Sequence, residues 1–310
     1  MTESGAVFIA NVTIASSMAV LYATVGEIFT ERSGVLNLGV EGMMLMGALT
    51  AFAATYFFQS LWAGVFAAML AGGCFALIHG FFSISFRVNQ VVSGLALTLF
   101  GIGLSSYLGR PLIGKVSLKF EPFGLFPLDR IPIIGKAMFN HPLLVYPGYV
   151  LIPFASFFLY RTRHGLQLRS IGENPSAADT VGINVSGLRY LYTFVGGVLA
   201  GFGGAYLSLA YTPGWKEQMT GGQGWIAIAL VIFAMWDPLK AVAGALLFGF
   251  INAFQFYCQA AGITLIPSYI LRMLPYLFTI GVLVIITRWE SARKRVGAPA
   301  ALGLPFEREQ

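Results

Sequence analysis

One pattern repeats along the whole chain: an apolar run of about 20 residues, a short connector, then another apolar run. A helix of that length crosses the roughly 30 Å hydrocarbon core of a bilayer. In hydrocarbon, only helices and closed barrels satisfy every backbone polar group. The runs read as 6–28, 36–58, 61–84, 88–109, 142–160, 187–211, 224–236, 239–259 and 268–287. The expected fold is an all-α polytopic membrane protein, one bundle of about 8–10 transmembrane helices forming a single domain over 1–310. Run 224–236 is short for a span and ends on Trp236-Asp237-Pro238, so it reads as a short or broken helix with Pro238 opening the next. Composition agrees: 10% of residues are charged, against about 25% in a soluble domain.

The net charge of +6 does not mark a nucleic-acid binder, because the basic residues sit in connectors, where they orient helices. Arg161, Arg163, Arg169 and Arg189 gather around one connector, and Arg288, Arg293, Lys294 and Arg295 around the tail. Both segments are expected in the cytoplasm, with the basic tail 288–310 and the C-terminus on that side. Alternation then places Arg87 and Glu31-Arg32 inside, the latter as an interfacial pair at a turn. Residues 110–141 fall outside despite their five basic residues, a conflict with the rule that long loops soften. The start of the chain lacks the basic residues of a secretory signal, so the first run is expected to be a retained helix lying outside at its N-terminus. In "GGVLAGFGG", Gly197 and Gly201 are four apart, with Gly196, Ala200 and Gly204 on the neighbouring ridge, a spacing that lets membrane helices approach closely.

Enzymatic constellations are missing. "GRPLIGKV" has Gly109, Gly114 and Lys115 of a phosphate loop, but Val116 stands where Ser or Thr is needed and no strand precedes it. His79, His141 and His164 have no neighbours at metal-ligand spacing. Cys74 and Cys258 lie in apolar runs and read as packing residues. No metal or cofactor is expected in this chain.

The connector "IGENPSAADTVGI" builds a short helix over about 175–181. Asn174 suits the N-cap, Pro175 the first helical position and Gly182 the stop. Ala177 and Ala178 give it a small face. It is either a plain interfacial connector or a plug that docks in a groove of a partner. Ser176, Ala177, Ala178 and Gly182 resemble the E-A-A-x-x-x-G coupling motif of ABC importer permeases, with Ser176 in place of the acid. A second stretch, "GEIFTERSGVLNLGVEGMMLMGA", is similar to permeases of the branched-chain amino acid and simple sugar family. It is closest to the nucleoside-uptake branch and its pattern E-R-x-G-v-x-N-l-g-v-E-G-m-m, matched by Glu31, Arg32, Gly34, Asn37, Glu41 and Gly42. "FRVNQVVSGLALTL" and "GGQGWIAIALVIFAMWDPLKAVAGALLFG" add to the likeness, which covers about residues 20–285.

The resemblance implies the permease subunit of an ATP-driven ABC importer in a bacterial plasma (inner) membrane, carrying a small polar solute such as a nucleoside or simple sugar. ATP and Mg would then be bound by a separate ABC ATPase docked on Asn174, Ser176, Ala177, Ala178 and Gly182. A second permease, of a different chain, and an extracytoplasmic solute-binding protein would complete the assembly within the lipid bilayer. The alternative is a secondary transporter or channel acting alone.

Glu41 reads as the one clear deep acid, four residues from Asn37 and on the same helix face. A bare carboxylate at mid-membrane costs about 2.5–3.5 kcal/mol even on the lenient insertion scale, so it must face the bundle and find donors. It is either a structural hydrogen bonder or part of a gate. Gradient-driven carriers usually hold ionisable groups near the midplane, so a single deep acid favours a pump powered from outside the chain. The amides Asn89, Gln90, Gln223, Asn252 and Gln255 are candidates for lining a path. Asn252 and Gln255 share a face among Phe248, Phe254, Phe256 and Tyr257, a setting that suits a flat polar solute. Each amide serves equally well as a helix-to-helix hydrogen bonder.

Overall fold

The computed structural model describes residues 3–132, 134–260 and 298–307, together with isolated positions between 273 and 284. Among them, seven helical stretches are long and apolar enough to cross a membrane: Gly5–Arg32, Val40–Phe58, Leu61–Ser85, Gln90–Leu112, Leu143–Arg161, Val185–Tyr211 and Pro238–Ala260. Apart from those isolated positions, the expected span 268–287 lies outside the described residues, as does the basic stretch 288–295.

In chain order the elements are α1 (Glu3–Arg32), α2 (Val40–Phe58), α3 (Leu61–Gly80), α4 (Gln90–Gly109), β1 (Pro122–Gly124), α5 (Ile134–Met138), β2 (Asn140–Pro142), α6 (Tyr146–Arg161), α7 (Arg163–Glu173), α8 (Pro175–Thr180), α9 (Val185–Tyr206), α10 (Gln223–Phe233) and α11 (Pro238–Ala260). Helices α3 and α9 each run on into a π-helical turn, at Phe81–Ser85 and Leu207–Tyr211. Two short antiparallel strands, β1 and β2, close the one long loop.

Helix α9 is the hub. It packs along α1, α2 and α3, and its glycines make this possible. Gly201 lies between Gly47 of α2 and Gly72 of α3: a methyl group on Gly47 would come 2.6 Å from Gly201 Cα, and one on Gly72 2.8 Å from the same atom. Gly196 meets Gly26 and Thr30 of α1, and Gly204 meets Met44 and Ala48 of α2. The sequence spacing of these small residues therefore corresponds to three real helix contacts. Gly201→Val would drive its Cβ onto the Ala68 carbonyl and push α3 away. Overpacking of this kind costs about 1–3 kcal/mol, so the midpoint of thermal unfolding in detergent should fall. An unchanged midpoint would contradict this packing.

The outer surface is apolar, as a bilayer requires. Phe66, Leu99, Val150 and Phe157 all point away from the bundle. Cys258 is buried and Cys74 exposed, and both are free thiols.

The connectors sort to two ends. At one end, Arg32 reaches the 235–236 turn, Ala301 N donates to Gly172 O (2.9 Å), Gly303 N donates to Gly34 O (3.2 Å), and Arg87 pairs with Glu307. At the other end, Asn11 of α1 donates to the carbonyls of Lys136 and Asn140, and Phe120 N donates to Leu209 O. Residues 33–39, 86–89, 162–184, 234–237 and 298–307 thus share one face, and the 110–142 loop lies opposite.

Two readings of charge change. Arg189 is not a surface charge in a connector. It is buried inside α9, where its Nε donates to Ser33 O (3.1 Å) and its Nη1 to Leu304 O (3.2 Å). Glu31 and Arg32 do not pair with each other, because each turns instead to the Trp236 segment.

Candidate translocation site

A cavity of about 410 Å³ opens where α10, α11 and the 207–223 segment meet. Gln223 enters it from the start of α10, and Asn252, Gln255 and Gln259 from one side of α11. Phe248 and Phe256 flank these amides, Tyr211 closes another side, and Lys216 is the one charged lining residue among the described residues. The structure therefore brings together three of the candidate amides, Gln223, Asn252 and Gln255. The Gln223 Oε1 is buried and has no hydrogen-bond partner among the described residues. Asn252 Nδ2 donates to Phe248 O at 3.3 Å, the ordinary turn-back bond of a membrane helix. Lys216 and Gln259 join the site without having been anticipated. Gln259 was legible as the i+4 partner of Gln255, but Lys216 lies in a connector with no periodicity to read.

The remaining candidates stand elsewhere. Asn89 is the N-cap of α4, its Oδ1 accepting from Val91 N (3.0 Å) and Val92 N (3.2 Å). Asn37 and Glu41 do not share a helix face, because α2 starts only at Val40 and Asn37 lies in the non-helical stretch before it. That stretch, residues 33–39, is buried, and side chains satisfy its backbone. Gln90 Oε1 accepts from Leu36 N (2.6 Å), Thr98 Oγ1 donates to Leu38 O (2.8 Å), and a ring nitrogen of His79 lies 3.1 Å from Leu36 O. Glu27 accepts from both the backbone and the side-chain amide of Asn37, at 3.2 and 3.3 Å, while Asn37 Oδ1 accepts from Gly39 N (2.9 Å). Irregular backbone survives inside a membrane bundle only when its polar groups are paired in this way.

Glu41 is 5% exposed and fully engaged. Its Oε1 accepts from Thr220 Oγ1 and from Gly222 N (2.9 Å), and its Oε2 accepts from Gly224 N (2.6 Å). These donors sit at the first turn of α10, whose own N-cap, Gly222, has no side chain to offer and a φ of 85°. Glu41 thus caps α10 from a different helix. A carboxylate there meets both the orphan N–H groups and the positive end of the helix dipole. Gly224 presses against the Glu41 backbone so closely that a methyl group would come 2.5 Å from Glu41 Cα. Thr220, Gly221 and Gln223 line the cavity, so Glu41 stands one layer behind the cavity wall and fixes its shape.

Glu41 is not the lone deep acid. Glu27 and Glu31 are each 1% exposed, buried on successive turns of α1. Residue 27 falls at the expected end of the first run, and the helix continues to Arg32. None of the three acids lines the cavity, and no salt bridge reaches them among the described residues. They serve hydrogen bonds to backbone and side chains.

The comparisons with known proteins identify the family. The chain is 39% identical to TsgC13 of Haloferax volcanii, a candidate glucose ABC transporter permease, over 96% of this chain and 97% of that one. It is 34% identical to the guanosine ABC transporter permease NupQ of Bacillus subtilis, over 95% and 94% of the two chains. It is 35% identical to the nucleoside ABC transporter permease NupC of Lactococcus lactis, over 89% and 91%. The family model described as branched-chain amino acid transport system / permease component matches residues 8–287. The chain, whose described residues include seven helices long and apolar enough to cross a membrane, is matched over nearly its whole length and belongs to that family of ABC transporter permeases.

Proposed function

We propose that this permease passes a nucleoside through the cavity between α10 and α11. The observation that carries the reading is the lining itself. Amides from Gln223, Asn252, Gln255 and Gln259 supply donors and acceptors, and Phe248, Phe256 and Tyr211 supply flat apolar walls. That combination suits a solute with a planar base and a hydroxylated sugar. Two relatives named for guanosine and nucleoside transport support it.

Helix α8 is the proposed contact for a separate ABC ATPase, which binds Mg-ATP. Asn174 Oδ1 caps α8 by accepting from Ala177 N (3.0 Å), and Gly182 leaves it with a φ of 83°. Ser176, Ala177, Thr180 and Val181 are exposed, whereas Ala178 faces inward at 3% exposure. The partner therefore meets Ser176 and Ala177, while Ala178 anchors the helix. The face carrying α8 and 298–307 is then the cytoplasmic one. A different permease chain completes the path, and an extracytoplasmic binding protein delivers the solute.

Uptake of labelled guanosine into vesicles carrying the whole transporter tests the reading. Gln255→Leu should lower uptake at least tenfold with the same amount of inserted protein. Unchanged uptake would remove the cavity from the path. Uptake of labelled glucose by the same vesicles, with none of labelled guanosine, would overturn the solute class.

A further inference from the structure

Helix α10 is held at both ends by the opening motif "ERSGVLNLGVEG". It has 11 residues, hence a rod of about 16 Å, or roughly half the hydrocarbon core. Glu41 holds the cavity end. At the other end the chain turns through Met235 and Trp236, with φ of 52° and 55°. Two successive non-glycine residues in the left-handed region are strained, and such strain persists only where the surroundings over-determine it. Here the surroundings are Glu31 and Arg32. Glu31 Oε2 accepts from the buried Trp236 indole N–H. Arg32 donates from Nε and Nη2 to Trp236 O, both at 3.2 Å, and from Nη2 to Met235 O at 3.4 Å. Both carbonyls of the strained turn are thus gripped by one guanidinium.

We propose that Glu31, Arg32 and Trp236 are positioning residues of the transport path: through the rigid α10 they set where Thr220 and Gln223 stand in the cavity wall. The proposal rests on the reading of that cavity as the path. Loop 33–39 joins the two clamps, and Glu27, Gln90, Thr98 and Arg189 hydrogen-bond it in place. Both ends of α10 are therefore referenced to one stretch of chain that its neighbours hydrogen-bond along its length. A turn that only needed to reverse direction would be met by a glycine at no strain. The gripped, strained turn defines an angle as well.

The test uses the full transporter in a background lacking Cys74 and Cys258, with a single cysteine at Gln223 or, as a control, at Asn252 on the opposite wall. The rate of thiol labelling and its protection by guanosine are measured, with and without Trp236→Phe, which keeps an aromatic ring, smaller than the indole, and removes the donor. The expected result is that Trp236→Phe changes labelling at position 223 at least fivefold and leaves position 252 within twofold. In the cysteine-free background without either probe, Trp236→Phe should raise the solute concentration for half-maximal uptake at least fivefold at equal amounts of protein. Glu31→Gln retains an acceptor for the indole and should stay within threefold. If Trp236→Phe lowers only the amount of protein, with labelling and half-saturation unchanged, the residues merely stabilise the turn and the proposal is overturned. Unaffected labelling at both positions would overturn it equally. Should guanosine protect neither position even with Trp236 intact, the cavity reading fails, whereas protection without any Trp236→Phe effect sinks only the positioning role.

Discussion

Glu41→Ala should yield little folded permease. Removing the carboxylate strands Thr220 Oγ1 and the N–H groups of Gly222 and Gly224, all directed at the buried Glu41 side chain. Each buried unsatisfied donor costs about 1–3 kcal/mol, so the loss is about 3 kcal/mol or more, a large fraction of a typical folding free energy. Glu41→Gln keeps the shape but holds only one acceptor atom. Whichever way its amide is placed, an NH₂ faces either Gly224 N or the Gly222–Thr220 pair. It should therefore fall between wild type and alanine, with about 1–3 kcal/mol lost. The check is the amount of monodisperse protein recovered in detergent and its thermal midpoint. Glu41→Ala and Glu41→Gln recovered at wild-type level, with uptake alone abolished, would instead place the charge in a gate.

A second large effect is expected at α8, where two neighbouring alanines should respond differently. Ala177→Arg adds bulk to the exposed face. Insertion should be normal, ATPase co-purification should drop, and uptake should fall at least tenfold. Ala178→Arg forces a charge into a position that is 3% exposed within the chain's own packing. An isolated buried charge is strongly disfavoured, so this variant should lower the amount of protein first. If Ala177→Arg supports full uptake and ATPase binding, α8 is a connector and not the docking point.

The solute cavity and the anchor behind it also differ in kind. Gln255 and Asn252 can be exchanged without unfolding α11, because their amides border open space. Glu41 cannot, because its partners are the Thr220 hydroxyl and two backbone N–H groups that its carboxylate alone is seen to satisfy. Loss of uptake with protein retained is the signature of the first group, and loss of protein that of the second.

The membrane class, most helix boundaries, the small-residue ridge on α9 and the capped helix α8 follow from local rules: span length, residue spacing, Asn at a cap and Gly at a stop. Those rules act within a few residues of chain, so the sequence alone determined them. The grouping of Asn252 with Gln255 was equally local, since both lie on one face of α11. The partners of Glu41 were not, since they come from 179 or more residues away and two of the three are backbone N–H groups, which carry no sequence signature. For the same reason Asn37 and Gln90 passed for path residues. An amide looks alike whether it meets solute or satisfies a broken backbone, and only the tertiary structure reveals that residues 33–39 leave the helix and need them. Arg189 passed for an orienting surface charge until α9 was seen to bury it against Ser33 and Leu304. Hydropathy locates what enters the membrane. The placement of a buried polar group depends on which distant backbone groups lack partners, and that is decided only when the helices pack.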